Sequence, residues 1–169
     1  IDEKSYLIGS FQRDTEGSDL KSPKLIKGPD RFIEIVKSKK NDIKNLKVVL
    51  TGKRRQYVIS ELEKLNIDYV YLEMVTFEEL NELYNILDLY IVSSRIEGGP
   101  QAVVECGITK TPIISTDVGF ATDILSSESI FDMSNYKNAA PNINYAYEKS
   151  LELSIPKGFQ KFTNLIFSK

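Results

Sequence analysis

Short apolar runs of strand type alternate with segments whose apolar residues recur at helical spacing, and this alternation leaves few folds open. Residues 6–11 (YLIGSF), 46–51 (LKVVLT), 69–72, 89–92, 112–116 and the brief pair Ile130-Phe131 read as strands. Gly28-Pro29-Asp30 opens a helix, with proline suited to the first helical position, and Phe32, Ile33 and Val36 form its apolar stripe. Val58, Leu62 and Leu65 mark a second helix. Thr76 with Glu79 forms a capping box before a third, which carries Phe77, Leu80, Leu83, Tyr84 and Leu87. A fourth spans residues 100–108, and a short one lies near 121–125. Two more close the chain, near 142–153 and from Pro156 with Phe159, Phe162 and Ile166. Residues 14–23 are polar and read as a loop. Strand–helix alternation predicts right-handed βαβ units: an α/β, Rossmann-like parallel sheet with helices on both faces, one domain across residues 1–169. Ligands of such sheets bind beyond the carboxyl ends of the strands, which directs attention to the loops there.

Composition removes several functions. The chain has no histidine, so the commonest general base and the commonest metal ligand are both missing. A net charge of −2 argues against nucleic acid as a partner. Cys106 stands alone, cannot form an internal disulfide and follows Glu105 on a helix, which reads as buried packing in a reducing compartment. No apolar run reaches the length of a membrane span, and no signal-peptide pattern is present. Ile1 in place of methionine fits a start inside a longer protein or a processed N-terminus. No G-x-G-x-x-G follows the first strand and there is no G-x-x-x-x-G-K-[ST], against a dinucleotide or P-loop site. The first strand ends on Gln12-Arg13, which suits anions better than a metal, and no residues show metal-ligand spacing.

The most chemical stretch is Glu97-Gly98-Gly99-Pro100-Gln101-Ala102-Val103-Val104-Glu105. Gly98 and Gly99 would let the backbone approach a ligand. Beyond Pro100 the N–H groups of Gln101 and Ala102, helped by the helix dipole, would favour an anion or a hydroxyl-rich ligand. Glu105 lies roughly 7.5 Å along the axis from Pro100 at 1.5 Å per residue, so the two carboxylates do not form a dyad. They suit two separated parts of one elongated ligand, since a carboxylate accepts from two neighbouring hydroxyls. A plain glycine turn before a dipole-favoured glutamate explains the same residues equally well.

This stretch resembles the E-x7-E motif of retaining GT-B glycosyltransferases of family 4, the glycosyl transferases group 1 type. Ser93-Ser94-Arg95-Ile96 before it and Ile114-Ser115-Thr116-Asp117-Val118-Gly119 after it are similar to the family's serine-rich strand end and its next strand with a D-x-G turn. The likeness runs from Gly9 to the final helix and implies the C-terminal, donor-binding half of a GT-B enzyme, whose N-terminal acceptor domain lies outside this chain. The family's arginine after the first strand and lysine before the first helix, which bind the donor diphosphate, match Arg13 and Lys27. The thirteen residues between them exceed the family's usual spacing, and Lys21 and Lys24 are rivals for the lysine. Lys53 and Arg54, where the family often has a glycine-acid-glycine turn, are expected to be solvated.

The resemblance implies catalytic roles for Glu97, Arg13 and Lys27. It implies donor contacts for Gly9, Gly98, Gly99, Pro100, Gln101 and Glu105, and base contacts, mainly from backbone, near Met74 and Val75. It implies a nucleotide diphosphate sugar as donor substrate, with no metal or other cofactor. It further implies a glycan or lipid-linked glycan acceptor held by the other domain, and retaining transfer in polysaccharide or glycoconjugate assembly. The setting would be the cytoplasm, with peripheral association at the inner face of the membrane. A nucleotide-sugar 2-epimerase on the same architecture and a non-catalytic interaction module are the alternatives.

Overall fold

A computed structural model of the chain describes residues 4–167. Strand β1 (Tyr6–Ser10) is followed by two two-residue strands, β2 (Thr15–Glu16) and β3 (Ser22–Pro23), which pair antiparallel as a small hairpin. A 3₁₀ turn (Leu25–Lys27) leads into α1 (Pro29–Asp42). There follow β4 (Leu46–Thr51), α2 (Gln56–Lys64), β5 (Asp68–Leu72), α3 (Phe77–Ile86), β6 (Leu89–Val92), α4 (Gln101–Thr109), β7 (Ile113–Thr116), α5 (Ala121–Ile124) and β8 (Ile130–Phe131). Helices α6 (Ile143–Leu151) and α7 (Lys157–Phe167) end the described chain.

Six strands form one parallel sheet in the order β5-β4-β1-β6-β7-β8. Successive residues feed opposite faces, as the pleat requires. Leu7, Val49, Tyr90 and Val92 join one core with residues of α3, α4, α5 and α6. Ile8, Val48, Leu50, Leu89 and Ile91 join the other, beneath α1 and α2. The predicted α/β class, parallel sheet and two-sided helical cover are therefore present. The loop expected over residues 14–23 instead contains the β2–β3 hairpin. It is pinned where the Asp14 and Thr15 N–H groups both donate to the Arg54 carbonyl at 3.1 Å, contacts between residues far apart in the chain that no local pattern announces. Pro100 lies one position outside α4, as its N-cap, rather than within the helix.

Along the sequence the chain builds outward from β1 to β4 and β5, then returns to the opposite side of β1 to build β6, β7 and β8. The switch point therefore falls between β1 and β6, where a crevice opens at the carboxyl ends. Both faces converge there on Phe11-Gln12 after β1 and Ser93-Ser94 after β6.

Candidate functional site

A cavity of about 410 Å³ occupies that crevice. Its wall includes Phe11 and Gln12 after β1, Thr51 and Gly52 at the end of β4, the Glu73 to Val75 turn after β5, and the start of α4. The floor is aromatic: Phe11, Tyr84 and Tyr90 pack with ring centroids 5.1, 5.2 and 5.6 Å apart. The Tyr90 hydroxyl accepts from the Phe11 N–H at 2.9 Å, which ties the end of β1 to β6.

Lys27 reaches this cavity because Gly28 turns the chain. Gly28 closes the 3₁₀ turn and caps α1 in the left-handed region, at φ 62°. A Cβ there would lie 1.9 Å from the Ser93 carbonyl oxygen, so only glycine fits on both counts. The Ser93 hydroxyl donates to the Gly28 carbonyl at 2.8 Å, and the Arg95 N–H donates to the Ile26 carbonyl at 2.8 Å. Arg95 also forks both Asp30 carboxylate oxygens at 2.7 and 2.6 Å, fastening the loop after β6 to the start of α1. We expect Gly28→Ala to cost at least the roughly 1–2 kcal/mol of a left-handed residue, with the Ser93 clash added. Urea denaturation measures this, and a smaller loss would contradict the geometry.

With the loop so held, the Lys27 ammonium pairs with Glu97 Oε1. The Ser94 hydroxyl lies 2.9 Å from the same oxygen, 3.2 Å from Gln12 Oε1 and 3.5 Å from the Lys27 carbonyl, one proton among three acceptors. The Gln12 amide donates to the Lys27 carbonyl at 2.8 Å. The serine pair at the end of β6 thus has a structural meaning: Ser93 holds the backbone of the lysine loop, and Ser94 touches the lysine's partner.

Glu105 lines the far part of the cavity, and its Oε2 accepts from the Tyr84 hydroxyl at 2.7 Å. Tyr84 carries an apolar stripe of α3 in the sequence pattern, yet its hydroxyl belongs to the site. Burial, first, and the neighbouring Tyr90, Cys106 and Glu105 push the Tyr84 phenol far up. Tyr90 is raised chiefly by burial as well. A folded pKa above the unfolded value near 10 means stability is intact below that pH and falls as pH rises, by about 1.4 kcal/mol per unit for each such tyrosine. Absorbance titration at 295 nm should show two of the nine tyrosines ionising only on unfolding. Full reversible ionisation in the folded protein would contradict the burial.

Helix α4 begins at the cavity wall. Its first internal bond is Val103 N–H to the Pro100 carbonyl at 3.0 Å, so the Gln101 and Ala102 N–H groups precede the ladder. Pro100, Gln101 and Ala102 line the cavity. The two glycines differ. A Cβ on Gly98 would meet nothing within 4 Å, whereas one on Gly99 would come 2.5 Å from the Phe120 ring. Gly119, at φ 55°, packs against the Gly98 carbonyl, where a Cβ would sit at 2.7 Å. The D-x-G turn after β7 is thereby a support for the glycine loop.

The structure brings Lys27, Met74, Val75, Glu97, Pro100, Gln101 and Glu105 together around one cavity. Met74 projects at its rim, 73% exposed. Four other predicted residues are not part of its wall: Gly98 and Gly99, in the loop just before α4, and Gly9 and Arg13. Gly9 is buried inside β1, where a Cβ would meet Leu87 at 2.2 Å, so its glycine serves the core. Arg13 is exposed next to Gln12, with its Nε donating to the Thr15 carbonyl at 2.9 Å, and does not line the cavity. Of the rivals to Lys27, Lys21 lies in the groove between the hairpin and α2, and Lys24 is absent from the cavity wall. Cys106 is buried, as expected, and burial pushes its thiol well up. Sequence reasoning missed Gln12, Tyr84 and the fully buried Arg55; a basic residue placed directly before the α2 stripe was the only signal for the last.

The family model described as glycosyl transferases group 1 matches residues 23–156. No curated protein sequence gives a match. Among solved structures, a variant of S. aureus TarM in complex with Fondaparinux, alpha-GlcNAc-glycerol and UDP superposes with a TM-score of 0.69 at 16% identity, over 97% of this chain and 36% of that one. The apo form of the lipopolysaccharide outer core galactosyltransferase WaaB gives 0.72 at 14% identity, over 98% and 50%. The C-terminal domain of a glycosyl transferase group 1 family protein (LpcC) from Francisella tularensis gives 0.67 at 16%, over 89% and 87%. The likeness is one of fold, Rossmann-like and shared with GT-B glycosyltransferases. The chain spans about a third of TarM and half of WaaB.

Proposed function

The chain belongs to the glycosyl transferases group 1 family, and from that premise we propose that it is the C-terminal, donor-binding domain of a retaining glycosyltransferase of the family 4 type. It binds a nucleotide diphosphate sugar for transfer of the sugar to an acceptor hydroxyl. One observation carries this: Lys27, Glu97, the start of α4 and Glu105 line a single cavity at the topological switch point.

Each group has a task that its chemistry suits. Glu105, with Oε2 held by Tyr84, offers Oε1 to the ribose hydroxyls. The Lys27 ammonium and the Gln101 and Ala102 N–H groups face the diphosphate, offsetting the charge that grows on it as the glycosidic bond breaks. Arg13, exposed beside Gln12, closes on the phosphates from the loop after β1. Glu97 receives hydroxyls of the donor sugar. Gly98, open to solvent on its Cβ side, leaves room for the sugar. The turn containing Met74 and Val75 borders the base. Charge is met by side chains and helix N–H groups, so the proposed chemistry uses no metal.

The acceptor, a glycan or lipid-linked glycan, is held by a second, N-terminal domain. The setting is polysaccharide or glycoconjugate assembly in the cytoplasm, at the inner face of the membrane. The names of two structural neighbours support the nucleotide donor and the glycoconjugate acceptor of this reading: a TarM variant was solved with UDP, and WaaB is a lipopolysaccharide outer core galactosyltransferase. Among the described residues no helix is long and apolar enough to cross a membrane.

The test is the product made by a protein carrying this domain together with its acceptor domain. Given an α-linked donor, the first product seen by proton NMR should carry an α-glycosidic bond. A β-linked product overturns retention, and an epimerised nucleotide sugar with no transfer overturns the transferase.

A further inference from the structure

Arg55 is fully buried at the N-terminus of α2. Its Nε lies 2.8 Å from Asp14 Oδ2, itself buried, but off the line of a hydrogen bond. One terminal nitrogen donates to the Gln12 carbonyl, and the other lies 3.4 Å from the Ser10 hydroxyl. Asp14 Oδ1 accepts from the Thr15 hydroxyl at 2.7 Å and faces the Val58 N–H at 3.4 Å. The guanidinium is thus wedged between the end of β1 and the start of α2, and its partners all belong to the segment that carries Gln12.

Such a pair is a poor device for stability alone. Removing two charges from water costs several kcal/mol per ion, and a well-packed apolar pair of similar volume does as well or better. What a forked guanidinium supplies is direction: it fixes a carbonyl in space. The carbonyl it fixes is that of Gln12, whose carboxamide donates to the Lys27 carbonyl and lies 3.2 Å from the Ser94 hydroxyl, next to the Lys27–Glu97 pair. A continuous chain of polar contacts therefore runs from Asp14–Arg55 through Gln12 to the site's cation and carboxylate.

We propose that Arg55 is a positioning residue of the donor site, acting through Gln12 to set Lys27 against Glu97. This rests on the donor-site reading, but the geometry it asserts has a readout of its own. Two variants of the 169-residue protein test it. Gln12→Ala cuts the link and leaves the buried pair intact. Arg55→Lys keeps the charge and loses the fork.

Three quantities are measured. The first is the melting temperature. The second is the rate of reductive methylation of Lys27 relative to exposed Lys53, by peptide mass spectrometry. The third is the affinity for UDP, GDP and ADP by calorimetry. Loss of one charge-adjacent hydrogen bond should make Lys27 react about threefold faster and weaken nucleotide binding about tenfold in Gln12→Ala, with melting close to the parent's. Arg55→Lys should show the same two site effects. Parental Lys27 reactivity and affinity in both variants, with only melting lowered in Arg55→Lys, would make Arg55 purely structural and overturn the proposal. Accelerated methylation in a protein whose parent binds none of the three nucleotides would leave the positioning chain standing and remove the donor-site reading.

Discussion

Arg55→Ala should lose about 3–5 kcal/mol of stability, the usual cost of leaving one member of a buried ion pair alone. For a chain of this length that lowers the melting temperature by about 10 °C. The Asp14 carboxyl is already pushed upward by burial, against the pull of Arg55. Without the guanidinium it loses its ion-pair partner, and Gln12 loses the donor to its carbonyl. Asp14→Leu with Arg55→Met should recover part of the loss, because the desolvation cost of both charges goes with them. It should not recover all of it, since the Gln12 carbonyl stays unmatched. Chemical denaturation of Asp14→Leu, Arg55→Met and the double variant, beside Arg55→Ala, measures the cycle. A loss below about 1 kcal/mol in Arg55→Ala would show that the pair is worth no more than one at the surface.

The second large effect is on binding. Lys27→Ala should weaken nucleoside diphosphate binding by roughly 10–100-fold, the value of one hydrogen bond to a charged group. The structure adds a sign that a simple loss of charge would not. Lys27 pairs with Glu97, so a diphosphate must compete with a carboxylate and then lie close to it. Glu97→Gln should therefore bind the bare nucleotide as tightly as the parent or more so, yet bind the nucleotide sugar less tightly, because the sugar's hydroxyls lose their charged acceptor. Calorimetry with UDP, GDP and ADP, each beside a corresponding nucleotide sugar, separates the two. Equal weakening for nucleotide and nucleotide sugar in Glu97→Gln would place Glu97 on the phosphates instead.

Much of the sheet was legible in the residues because period-two and helical spacing report burial directly. The strands at residues 46–51 and 89–92 have the ends read from sequence, and the Thr76 capping box closes as drawn, with both of its hydrogen bonds present. The cavity was legible in part. Glu97 and Glu105 stand out by spacing, and Lys27 by the Gly-Pro that follows it. The rest depends on contacts between residues far apart in the chain. Nothing local to Gln12 announces Lys27 and Ser94, fifteen and eighty-two residues away. Nothing local to Arg55 says that Asp14 will be buried beside it, and arginines in such turns are usually solvated. Tyr84 was hidden differently: it serves an apolar stripe and a polar site at once, and periodicity registers only the first. Gly9 has the opposite history, a glycine next to the site whose small size serves Leu87.

The pattern of paired glutamates comes out sharper for this. Glu97 is tied to a lysine and Glu105 to a tyrosine on the wall of one cavity, so the proposed donor would meet two carboxylates with different partners. Isothermal titration of the 169-residue protein with UDP, GDP and ADP at millimolar concentration tests this most directly. At least one of the three should bind, with the affinity weakened by about tenfold or more in both Lys27→Ala and Glu105→Ala while the variants stay folded. No heat from any of the three nucleotides, or affinity unchanged by both substitutions, would contradict a donor site in this cavity.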